Sequence, residues 1–188
     1  DLAGGTVALT TTDEALTVTG PVDDDSIADS AFTLSAGSGA ITLEEVVGGS
    51  VAPGAVQLLS SGTTTLAKAV TTASVMTDSG GSVHLGGDVT TTGRQDYDDA
   101  VVLLGDRTLA GSTVDFASTV DSDSTGGTSN ERHLTVTGDA LWGGAVGGQQ
   151  VLGSVFVSGL SKITANLTTT GDQDYTGATT LVGDRLLS

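Results

Sequence analysis

The sequence predicts an all-β fold, a parallel β-helix (β-solenoid) with coils of about 20 residues, and three observations predict it. The first is residue choice. Aromatics make up 3% of the 188 residues, Lys, Arg, Glu and Met are scarce, and the bulk is Thr, Ser, Gly, Val, Ala and Leu, which favours short strands joined by glycine turns. The second is an internal repeat. Val89 to Leu109, VTTTGRQDYDDAVVLLGDRTL, returns as Leu167 to Leu187, LTTTGDQDYTGATTLVGDRLL, without a gap, at an offset of 167 − 89 = 78 and with thirteen of twenty-one positions identical. The third is the length of its parts. The 78-residue unit divides into four pieces headed near Val89, Val114, Leu134 and Val155, averaging 78/4 = 19.5 residues. That suits a coil of three short strands, stacked at roughly 4.8 Å over its neighbours around a shared apolar interior. The chain reads as a single domain, 1–188, built on this repeat.

In chain order, Asp1 to Glu14 resembles the continuation of the first copy, Thr108 to Ala117, and Leu16-Thr17-Val18-Thr19-Gly20 returns as Leu134-Thr135-Val136-Thr137-Gly138 at 134 − 16 = 118. Pro21 to Ser30, with three consecutive aspartates, predicts a surface loop inserted at a corner. From Phe32 to Thr72, apolar pieces (Phe32-Thr33-Leu34, Ile41-Thr42-Leu43, Val56-Gln57-Leu58, Thr64-Thr65-Leu66) alternate with glycine-containing breaks. Val75-Met76-Thr77 and Val83-His84-Leu85 lead into the first copy, with Leu103 and its counterpart Leu181 predicted to be core. Thr113 to Val120 supplies two more strands, Asp121 to Asn130 a second polar loop, and His133 to Ala145, Val151 to Val157 and Lys162 to Leu167 complete the pattern.

The blocks TTTGDQDYTGATTLVGD and LTVTGDALWGGAVGG resemble tandem repeats of very large bacterial surface and secreted proteins, among them filamentous-haemagglutinin-type adhesins and autotransporter-like passengers. The resemblance covers most of the chain. It implies a right-handed parallel β-helix, an extracellular or bacterial cell-surface location, and a role as stalk, fibre or adhesin with a host or matrix glycan or protein as possible partner. It carries over no catalytic residue, and the acidic insertions at Asp23 to Asp25 and Asp121 to Asp123 depart from its pattern.

Twenty-three acidic against six basic residues give a net charge of −17, which repels nucleic acid and anionic lipid. No run of eighteen apolar residues is present, so no membrane-inserting helix is expected, and the absence of cysteine removes disulfides and thiolate metal sites. Asp1 without a preceding methionine suggests a processed protein or an excised piece.

The acidic groups are the leading candidates for chemistry. Asp23, Asp24 and Asp25, Asp121 with Asp123, and Asp96, Asp98 and Asp99 cluster carboxylates as calcium favours, although none matches an EF-hand or nonapeptide calcium repeat; solvated loop charge is the plainer reading. No cofactor beyond calcium is implied. A carbohydrate-active β-helix enzyme acting on polysaccharide is the alternative function, but one Trp, two Tyr, two Lys and four Arg, well scattered, do not make an aromatic and basic groove. His84 and His133 read as exposed strand residues. Tyr97 and Tyr175 read as stacked or core-capping, with sugar contact the sharper alternative, and Trp142 as core filling or a surface contact. The Thr triplets at Thr10, Thr63, Thr90 and Thr168 invite an ice-binding reading, which needs threonine rows in every coil. The functional expectation is a non-enzymatic building block of an extracellular fibre or adhesin. Because Leu2-Ala3-Gly4 and Thr6-Val7 repeat Leu109-Ala110-Gly111 and Thr113-Val114, its ends are expected to meet head to tail.

Overall fold

The computed structural model describes residues 2, 5–25, 30–123 and 131–188. Every strand pair among them is parallel, and the described residues contain no helix. Three faces wind about one axis. The first stacks β1 (Thr6–Thr10), β3 (Ala31–Gly37), β5 (Ala55–Ser60), β8 (Ser74–Thr77), β11 (Arg94–Tyr97), the second halves of β13 (Arg107–Phe116) and β15 (His133–Trp142), β17 (Ser161–Ile163) and β19 (Thr179–Leu181). The second stacks β2 (Leu16–Val18), β4 (Ile41–Leu43), β6 (Thr63–Leu66), β9 (Ser82–Leu85), β12 (Ala100–Leu103) and β14 (Val120–Ser122), and continues as single bridges through Val146, Leu167 and Leu187. The third begins with bridges at Val22 and Val47 and continues through β7 (Val70–Thr72), β10 (Val89–Thr91), the first halves of β13 and β15, β16 (Ser154–Val157) and β18 (Gln173–Tyr175).

The coil length follows from the register. On the first face Val56 pairs with Val75, Val75 with Gln95 and Gln95 with Val114, steps of 19, 20 and 19 residues. Val7 to Phe32 and Val114 to Ala140 take 25 and 26, because these coils carry the two acidic insertions. Alternation within each strand turns Val, Leu and Ile inward, and the buried set from Leu2 to Leu167 forms one continuous core. Tyr97, Phe116 and Trp142 occupy one register column of it, stacked with ring centroids 5.7 and 4.8 Å apart. Trp142 is therefore core, not surface.

Several expectations are corrected. The two copies of the repeat do not share a face: Val89 lies on the third face and Leu167 on the second, Gln95 on the first and Gln173 on the third. Of the four expected coil heads, Val114 lies on the first face whereas Val89, Leu134 and Val155 lie on the third. The copies are thus one face out of step, and the 78-residue unit is not a whole number of coils. The LTVTG pair behaves alike, with Leu16 on the second face and Leu134 on the third. Parallel backbone pairing and an inward apolar side chain satisfy any of the three faces, so the sequence repeat specifies a strand and its corner, not a side of the solenoid.

Leu103 is fully buried, as expected, but Leu181 is 49% exposed. It pairs with the buried Ile163, and β19 is the last described strand of its face, so no further strand covers it. The acidic segments are not wholly surface loops. Val22 and Asp24 are buried and bridged to Val47 and Leu2, while Asp121 and Ser122 are buried in β14. Ser26 to Asp29 and Ser124 to Asn130 of these loops, and Asp1, Ala3 and Gly4 of the head, lie outside the described residues.

Candidate functional site

Two kinds of built feature stand out, the corners and the ends. At the corners, aspartates bond the backbone of neighbouring coils. Ser38 N–H donates to Asp13 at 2.9 Å, Thr108 N–H to Asp88 at 2.9 Å, His133 N–H to Asp106 at 3.0 Å and Leu160 N–H to Asp139 at 2.8 Å, each acceptor one coil earlier. Asn166 receives Leu186 N–H in the same way at 3.1 Å. Asp78 and Asp99 reach back instead, accepting Ser60 N–H and Gly81 N–H, both at 2.7 Å. A corner turns its N–H groups out of the strand ladder, and a carboxylate stacked beside it supplies the missing acceptor. Part of the acidity is therefore structural.

The five predicted metal ligands belong to this scheme. Asp23 Oδ1 accepts Ser50 N–H at 2.7 Å, and Asp121 Oδ1 accepts Gln149 and Gln150 N–H at 2.9 and 3.0 Å. Asp24 accepts Asp25 N–H and Ser30 N–H at 2.9 and 3.0 Å, and Asp123 forms a two-pronged ion pair with Arg132 at 2.7 and 3.2 Å. The two acidic segments are counterparts: Val22-Asp23 faces Val47-Gly48-Gly49 in the next coil as Val120-Asp121 faces Val146-Gly147-Gly148. Gly48 and Gly147 have φ of 69° and 65°, and a Cβ there would lie 2.0 and 2.2 Å from the carbonyls of Thr71 and Thr168. Among the described residues no three His, Asp or Glu side chains are grouped as a metal would need, and a cation at either loop would compete with the N–H donors and with Arg132.

The repeat encodes a buried polar knot. Gln95 Nε2 donates to the carbonyls of Ala110 (2.9 Å) and Val89 (3.2 Å) and to Thr91 Oγ1 (3.4 Å), and Gln95 Oε1 accepts the Tyr97 hydroxyl at 3.0 Å. Gln173 repeats every bond, to Ser188, Leu167, Thr169 and Tyr175, at 3.1, 3.4, 3.2 and 3.3 Å. Burial raises the Tyr97 phenol, and pushes that of Tyr175 up to about 12, so both stay protonated donors. The signal that could have revealed the knot is the Thr-x-Gly-x-Gln-x-Tyr spacing shared by Thr91 and Thr169.

The side faces offer little chemistry. A shallow groove on the first face is lined by Arg94, Thr113, Asp139, Leu141, Lys162 and Thr180 among others, with no aromatic residue. Arg94 is paired there with Asp96 and with Asp115 at 2.6 Å, and Asp139 already holds Leu160 N–H. On the second face His84 is half-buried, with its pKa lowered by burial, beside Val102; the exposed His133 has Nδ1 2.7 Å from Ser154 Oγ. Thr17, Thr42 and Thr65 stack as one column, but its next member is His84, and the middle residues of two triplets, Thr64 and Thr91, are buried, so no face carries a threonine row in every coil.

The ends differ from the sides. Leu181, Val182, Leu186 and Leu187 are four of the seven large exposed hydrophobics among the described residues. At the opposite end Leu2, Val7, Leu9, Val18, Val22 and Phe32 line an apolar depression.

No protein-family model, no curated protein and no solved structure matches this chain.

Proposed function

We propose that this chain is a non-enzymatic building block of a bacterial extracellular fibre or surface adhesin, associating head to tail. The observation that carries the reading is the uncovered end: Leu181 continues an inward column through Trp142 and Ile163, both fully buried, yet lies half exposed. An apolar column that stops in the open, beside unpaired strand edges, is a template for axial association, and a head-to-tail contact need not close into a ring. The solenoid fold, the absence of cysteine and the tied-up carboxylates of the first-face groove support an extracellular scaffold over a polysaccharide-cleaving enzyme. Light scattering and electron microscopy on the purified chain test it. Concentration-dependent rods one solenoid wide are expected; a monodisperse monomer at high concentration, or cleavage of an acidic polysaccharide, overturns it.

A further inference from the structure

We propose that in such a stack each copy is turned by one face relative to the last, so that β1 of the next copy lies on β18 of the third face and not on β19 of the first. This rests on the head-to-tail reading and specifies its register. The chain already contains the contact. β13 lies on β11 with Thr113 beside Arg94, Val114 beside Gln95, Asp115 beside Asp96 and Phe116 beside Tyr97. The head repeats the upper strand, Thr6-Val7 standing for Thr113-Val114 at an offset of 107, and the end of the chain repeats the lower strand, Asp172 to Tyr175 standing for Arg94 to Tyr97 at an offset of 78.

Val7 and Val114 lie on the same face, whereas Gln173 lies one face away from Gln95, so joining head to tail as the repeat prescribes requires the turn. The pairs become Thr6 with Asp172, Val7 with Gln173, Ala8 with Asp174 and Leu9 with Tyr175. Leu9, 43% exposed, then covers Tyr175 as Phe116 covers Tyr97, and Val7 buries the Gln173 knot as Val114 buries that of Gln95. β2 falls on β19 and covers Leu181. Internal copies displaced by one face are already the rule within the chain, as the Gln95/Gln173 and Leu16/Leu134 pairs show.

The match has a steric corollary. Leu2 and Leu187 both stand for Leu109, so residues 1–3 of the incoming copy and 186–188 of the receiving one claim the same place, and one end yields. A flush stack, with β1 on β19, avoids that overlap but sets Val7 on Thr179 and Leu9 on Leu181, contacts that occur nowhere in the repeat.

Cysteine cross-linking separates the two, since the chain has no cysteine of its own. Ala8→Cys combined with Asp174→Cys, both at exposed positions, should give a ladder of linked copies on oxidation, whereas Ala8→Cys combined with Thr180→Cys should not. Deleting residues 1–3 should favour assembly. Linking by the Thr180 pair alone overturns the turn but leaves head-to-tail stacking standing. Linking by neither pair in a chain that scatters as a rod overturns the register only, and a monodisperse monomer overturns both.

Discussion

Gln95 and Gln173 make the same four hydrogen bonds from different faces of the solenoid, Gln95 on the first and Gln173 on the third. Gln95 is fully buried, while Gln173 is in the last described strand of its face and is partly open. Replacing Gln95 by Leu strands the Tyr97 hydroxyl and the Ala110 carbonyl, so a loss of about 1–3 kcal/mol is expected. The same change at Gln173 should cost less, since water reaches its partners. Urea melts of the two variants check the ordering.

The Leu103 and Leu181 pair separates burial from sequence. Leu103→Ala removes a fully buried side chain and should destabilise by about 2–5 kcal/mol. Leu181→Ala should change stability of the isolated chain by less than about 1 kcal/mol, because half of its surface is already wet. Equal losses in thermal melts would mean that the end is covered in solution.

Phe116 sits between Tyr97 and Trp142, and Phe116→Ala opens the middle of the stack. A loss of about 3–5 kcal/mol is expected, together with a red shift of Trp142 emission if water fills the gap. An unshifted spectrum with unchanged stability would contradict the packing.

Asp121 accepts two backbone N–H groups from the next coil, so Asp121→Ala leaves both without their partner. A loss of about 1–3 kcal/mol is expected, and faster amide exchange at Gln149 and Gln150 locates it.

The pH dependence contains opposing contributions. Asp99 is buried with one oxygen unpartnered, and desolvation raises its pKa from 3.8 to about 6. The folded state then binds the proton more tightly than the unfolded chain, so this contribution is full below about pH 4 and is lost as pH rises through about 6. Asp99→Asn should raise stability at neutral pH and remove that slope. Asp13 has the opposite sign: the Ser38 N–H and hydroxyl lower its pKa, so its contribution is present above the ordinary carboxylate range and is lost in acid. Denaturant midpoints between pH 3 and pH 8 for the two Asn variants resolve the two slopes.

The sequence by itself determined the strands, the turns, the coil length and the presence of a repeat. These depend on local rules: apolar alternation over three or four residues, glycine at a tight corner, a motif returning at a fixed spacing. Tertiary structure alone decided which face each motif occupies, because a face is the running sum of every corner before it. The 25- and 26-residue coils around the acidic segments shift everything that follows. It also decided what the aspartates do. Asp23 and Asp121 look like free carboxylate clusters in the sequence, but the N–H groups they accept lie 27 to 29 residues away, brought beside them only when the next coil is laid down.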